Sequence, residues 1–237
     1  MTTIAQVKSF SQPFLARHPD FIMVGRELIR LPIGHVVTGF NLQRTSLVTH
    51  IRTTWFSGPM FTPPFCSAGM GSENGIMSGD IDDPLYPSKF LSELERTNSD
   101  LLDKISTIQG ILDHPHEPFY TFGIKPEAEA VLLTGLGRFS EARASLAELF
   151  AAERRASDAH RREIEQMRRD GRKVWVWANA AGSWQEKRES HLKELLALLT
   201  QGKPGPIAAL LHQWEAIKAK ELKLEKLWTP TPFAFEN

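Results

Sequence analysis

The sequence predicts an α+β protein: an N-terminal antiparallel sheet of about four strands, followed by a mainly helical C-terminal region. Three observations carry that expectation. Residues Leu47 to Phe56 alternate side chains between two faces over ten positions, the period of a pleated strand. The character of the chain changes near Pro87. Before it, short apolar runs are split by Gly and Pro; after it, apolar residues recur every three or four positions, as in helices. The connections between the early runs are short, which favours antiparallel pairing because parallel strands need longer crossovers. On this reading residues 1–87 form a strand-rich region ending in a long Pro/Gly loop at 57–87, and residues 88–237 form a helical region. The two can also share one composite domain.

Taken in order, Ile4, Val7, Phe10, Phe14 and Leu15 predict a helix to about Arg17, with Pro13 ending or kinking it. Phe21–Val24 and Leu28–Leu31 read as two strands around Gly25, and Val36, Val37, Phe40 and Leu42 as a third. In the fourth, Leu47, Thr49, Ile51, Thr53 and Trp55 line one face. Periodicity is then lost until Pro87, through a run of prolines, glycines, Met and Phe side chains. Unpatterned segments of that length are functional or mobile, or are connectors packed over the sheet. Ser88 is the expected N-cap of a helix carrying Phe90, Leu91 and Leu94, with a break at Thr97-Asn98-Ser99 and helical spacing again from Leu101 to Leu112. Pro126 opens the next helix, Gly135 and Gly137 close it, and a long helix runs from Phe139 to about Arg169, stopped by Gly171. Ser183–Leu199 and Ile207 to about Leu227 complete the expected helices, and the tail Thr229–Phe233 has too many prolines to extend the last one.

Composition narrows the function classes. Lys plus Arg number 28 and Asp plus Glu 28, so there is no global basic excess of the kind that neutralises nucleic-acid phosphates. Cys66 is the single cysteine, which excludes an intramolecular disulfide and a Cys-rich zinc site. No apolar run reaches membrane-spanning length, and Met1–Lys8 lacks the charged-then-apolar pattern of a secretion signal. The expectation is a cytoplasmic protein.

Ala130 to Ala142 resembles the middle of a tetratricopeptide repeat, with Leu136, Gly137, Phe139 and Ala142 at matching places. No second copy follows at the thirty-four-residue period such arrays require, so the resemblance implies a single helical hairpin over about 126–150. Phe14 through Phe61, with Phe14-Leu15 in the opening helix and a strand series ending in His50-Ile51-Arg52, resembles small uncharacterised bacterial α+β proteins. Some of those are found beside toxin genes, which implies an immunity-type, toxin-neutralising role.

Catalytic and metal templates fail at particular residues. Asp113-His114-Pro115-His116-Glu117 offers two imidazoles and two carboxylates but no spaced further ligand. Asp80-Ile81-Asp82-Asp83 lacks the Gly and the twelfth-position Glu of a calcium loop. Cys66 with His35 or His50 is a thiol–imidazole pair only if the fold brings them together. Ser67, Ser72 and Ser78 lack a nucleophile elbow. Neither Met70–Gly75 nor Gly135-Leu136-Gly137 completes a phosphate-binding loop. No catalytic residue, cofactor or metal is therefore assigned.

Three functions remain. The first is a protein-binding module that occupies a partner such as a toxin or effector, using Phe61, Phe65, Asp80, Asp82 and Asp83 of the long loop. The second is a hydrolase or transferase assembled around the 57–87 loop, which requires His35, His50, Cys66 and Asp80–Asp83 to share one cleft. The third is a nucleic-acid-associated protein using the arginine-rich helix at 153–173, whose interleaved carboxylates favour a solvated face instead. The tryptophans Trp175, Trp177 and Trp184 are expected to pack between helices and sheet.

Overall fold

The computed structural model describes residues 3–64, 70–71, 76–114, 126–171 and 182–236, without the side chains of 70, 71 and 182–185. Phe65, Cys66, Ser67, Ser72, His116, Glu117, Trp175, Trp177 and the Trp184 side chain lie outside this set. The architecture is the expected α+β: an N-terminal antiparallel sheet, then a mostly helical region.

Helix α1 (Ile4–Arg17) begins in a capping box, the Thr3 hydroxyl accepting from the Gln6 N–H while the Gln6 side chain accepts from the Thr3 N–H. Pro13 is absorbed within it and does not end it. Strands β1 (Phe21–Val24) and β2 (Glu27–Arg30) are joined by Gly25-Arg26. Gly25 has φ +62°, the left-handed first position that tight two-residue hairpins require. β3 (Val36–Arg44) pairs along its whole length with β4 (His50–Pro59).

The fourth strand begins later than the alternation suggests. Leu47, Val48 and Thr49 belong to the β3–β4 turn, where the Thr45 hydroxyl accepts from the Leu47 N–H and can donate to the carbonyls of Leu47 and His50. The strand then runs on to Pro59. Two described stretches of the segment after it are paired: β5 (Met70–Gly71) and β6 (Met77–Asp80) both pair with β4. Neither short strand carries alternation of its own, because a neighbour already in place supplies the pairing.

Both faces of the sheet are covered. Phe40, Leu42, Ile51 and Trp55 pack with α1 and with α2 (Tyr86–Thr97). α2 starts before Ser88, whose hydroxyl donates to the Leu85 carbonyl from inside the first turn; Pro87 fits the first turn of a helix, where its absent N–H costs nothing. The expected break at Thr97–Ser99 is a π-type turn (Asn98–Leu102) that keeps the chain coiled and buries Leu102. α3 (Ile108–Asp113) follows.

α4 (Pro126–Gly135) and α5 (Phe139–Arg169) form the hairpin, turning at Gly137 with φ +75°. A Cβ on Gly135 would come within 2.6 Å of the Phe61 ring, so only glycine lets that ring seat there. Arg188, on α6 (Gly182–Gln201), bonds the buried Glu127 of α4 and, at 3.0 Å, the partly exposed Glu153 of α5, an ion cluster that ties three helices together.

α7 spans Pro204–Glu221, starting earlier and ending sooner than the periodicity predicts. Pro204 again occupies the first turn. At the end, Lys223 adopts φ 58° and the Leu224 N–H bonds the Ala219 carbonyl, a Schellman stop. That reversal buries Leu224 against Ile29, Val37 and Met60 on the second sheet face. The tail then bridges Ile33 through Trp228. Among the described residues no helix is long and apolar enough to cross a membrane.

Candidate functional site: the two ends of the β3–β4 ribbon

The catalytic reading required His35, His50 and the Asp80–Asp83 cluster to converge. Val36 pairs with Pro59, whereas Arg44 pairs with Ile51, so His35 and His50 mark opposite ends of one ribbon. At about 3.3 Å per residue that places them roughly 30 Å apart. Cys66 lies outside the described residues.

The His35 end is closed. Its Nδ1 lies 2.7 Å from Glu215 Oε1, and His212 Nδ1 lies 2.8 Å from the other carboxylate oxygen. Glu215 is 0% exposed, so this buried carboxyl group depends on the two imidazoles for its polar partners. His212 Nε2 reaches Glu236 Oε1 at 2.9 Å, and the same oxygen accepts from the Phe233 N–H at 2.7 Å. The fully buried Phe233 ring stacks on His35 with centroids 3.9 Å apart and meets Phe61 edge-on. Burial pushes the His212 pKa down, but its hydrogen bonds to Glu215 and Glu236 outweigh this and hold it above the ordinary value. Burial likewise pushes Glu236 up, and the Phe233 N–H with His212 brings it below the ordinary value. Every nitrogen here faces an acceptor from the chain itself, which makes the cluster a clasp on the C-terminal tail. No group of three or more His, Cys, Asp or Glu among the described residues is arranged to hold a metal. Nothing in a catalytic or metal template singles out His212 in the sequence. The signal it does carry is Glu215 three positions on, a carboxylate beside Leu211 and Trp214 on a buried helix face.

Phe61, expected at a partner-facing loop, belongs to this closed end. It is 0% exposed and packs in the helical core, so its side chain is not on the surface. Phe65 lies outside the described residues.

The opposite end is open. Leu47 and Val48, at the turn, are 57% and 64% exposed, and Leu85 is 59% exposed. These are three of five large apolar side chains so exposed among the described residues. Strand β6 pairs His50 with Asp80, and the Ile81 N–H bonds the Thr49 carbonyl, which ties the acidic turn to the hairpin tip. Within the turn, Asp80 Oδ1 accepts from the Asp82 N–H and Asp83 Oδ1 from the Leu85 N–H. The bond from the Asp82 N–H lowers the Asp80 pKa, helped by the Thr49 hydroxyl and His50. The bond from the Leu85 N–H lowers that of Asp83, helped by Lys89. Both carboxylates therefore stay charged well into the acid range. The sequence marks the aspartates, but its alternation puts Leu47 within a strand and nothing in it singles out Leu85.

Of the metal-like Asp113–Glu117 segment, only Asp113 and His114 lie within the described residues. His114 ends α3 with Nδ1 2.9 Å from the Gly110 carbonyl, the donor side of a helix-end turn. Comparison with protein-family models, with curated proteins and with solved structures gives no match to this chain. Its surfaces are therefore read from their geometry.

Proposed function

We propose that this chain is a protein-binding module that acts by occupying a partner, and that the open end of the β3–β4 ribbon is its contact surface. One observation carries the reading: exposed Leu47, Val48 and Leu85 share an end of the sheet with Asp80, Asp82 and Asp83. Exposed aliphatic side chains lose water when covered, worth about 1.5–3 kcal/mol each when fully buried. Flanking charge steers encounter and sets specificity more than it adds affinity. The partner that fits is a protein with an apolar hollow rimmed by Lys or Arg. A toxin or effector neutralised by occupation is the form suggested by the resemblance over residues 14–61, and the cytoplasm is where this reading puts the pair.

The test begins with crosslinking capture from the native cell by the intact chain and by a Leu47→Ser/Val48→Ser variant. The captured protein is then purified and titrated against both. The expected result is a loss of roughly ten- to a hundredfold in affinity from the double substitution. Equal affinity for both chains, or turnover of a substrate by the purified chain, would overturn the reading.

A further inference from the structure

Helix α5 carries a second surface of different chemistry. Beyond Glu153, which Arg188 ties to the helical core, residues 154–163 are all exposed; only Ile164 and Met167 are half-buried before the helix ends. Arginine pairs recur there at seven-residue intervals: Arg154-Arg155, Arg161-Arg162 and Arg168-Arg169. Seven residues advance the helix by roughly 10.5 Å and bring the chain back to nearly the same side, so the six guanidinium groups occupy an arc of roughly 140°. Ile164 and Met167 lie off that arc, on the side continuing the buried Leu146 and Leu149.

The arc keeps a positive excess. From 154 to 169 six arginines face three carboxylates, Asp158, Glu163 and Glu165. Asp158 lies 3.7 Å from Arg161, with both side chains well exposed, a pairing that neutralises little. Arg154 and Arg162 direct Nε to carbonyls one turn back, which leaves their terminal nitrogens outward. Arg155, Arg168 and Arg169 have no ion pair among the described residues. No lysine occurs between Lys125 and Lys173, although α6 and α7 use lysine freely. Solubility alone is served by either cation. Arginine differs in its planar fork, which matches paired phosphate oxygens.

We propose that this face of α5 binds the phosphodiester backbone of a nucleic acid without reading its sequence. Regular phosphates meet regular arginine pairs, and among the described residues no base-reading element accompanies them. The site is separate from the contact surface proposed above and does not depend on it. Discounting the two carboxylates on the arc, Asp158 and Glu165, about four phosphates are neutralised. That predicts a slope near −3 to −4 in log affinity against log salt, or about a hundredfold weakening from about 50 to about 200 mM salt.

Fluorescence anisotropy with duplex DNA, duplex RNA and a single strand of equal length tests this. Similar affinity for the duplexes at low salt, with that slope, is the expected result. The Arg155→Gln/Arg162→Gln/Arg169→Gln variant should retain its helical circular dichroism and reduce the slope to about −1, while the matching Lys variant keeps the slope. Absence of binding at about 50 mM salt, a slope unchanged in the Gln variant, or displacement by polyglutamate as readily as by nucleic acid would each overturn the proposal.

Discussion

The two ends of the β3–β4 ribbon are built from the same pair of strands and are put to opposite uses. At the His35 end, four ionisable groups and two aromatic rings are spent on each other: Glu215, 180 positions from His35, binds both imidazoles, and the tail closes over them. At the hairpin end, every polar contact is local, within Thr45–His50 or Asp80–Lys89 or between these two turns, and the apolar side chains face water. Long-range polar networks hold a chain together because each member is costly to leave unpaired. Short-range turns shape a loop without consuming its surface. The difference separates a region that fold stability requires from one free to meet a partner.

The largest effect that tests this contrast is at the closed end. Glu215→Ala leaves two imidazoles without their buried acceptor, and should cost about 3–5 kcal/mol in urea unfolding. The Leu47→Ser/Val48→Ser variant should stay within about 0.5 kcal/mol of the parent, as exposed substitutions do. Comparable losses from the two variants would erase the distinction between the ends.

Of the open end only the acidic turn is legible in the sequence, and of the closed end almost nothing is. Periodicity locates α1, β1 through β3, α4 and α5 because each carries a local signal: apolar spacing, a glycine turn, a proline at a helix start. Asp80, Asp82 and Asp83 were legible for the same reason. Strand β6 was not, since Met77–Asp80 is a strand only through β4. The C-terminal tail reads as an unstructured proline stretch, yet it carries fully buried Phe233. Its docking depends on the Lys223 reversal and on partners nearly two hundred positions away, which no local pattern encodes.

A moderate effect should appear in the pH dependence of stability. His212 is raised above its ordinary 6.5 in the folded chain, so the stability it contributes is complete below that value and is lost as pH rises through the folded pKa. Glu236 is depressed below its ordinary 4.5, so its contribution is complete above 4.5 and is lost as pH falls through the folded value. The clasp is therefore strongest between these limits, and weakens on both sides. His212→Gln should flatten the alkaline decline and also shrink the acid one, because His212 helps to hold Glu236 down. An unchanged alkaline limb would assign that decline to another group.

The smallest structural effect, and the sharpest functional one, belongs to Asp80→Asn/Asp82→Asn/Asp83→Asn. Asparagine keeps the oxygen that accepts from the Asp82 and Leu85 N–H groups, so the turn survives and the unfolding midpoint should not move. Only the charge is removed, apart from the exposed Lys89 pairing of Asp83. With the captured partner in stopped flow, association at low salt should slow by about tenfold and lose most of its salt dependence, while dissociation changes little. The parent chain should keep its steep salt dependence down to about pH 4, because Asp80 and Asp83 both titrate below the usual 3.8. If the variant slowed association no more than added salt already does at neutral pH, steering by this turn would be excluded. The exposed leucines and valine would then have to account for recognition alone.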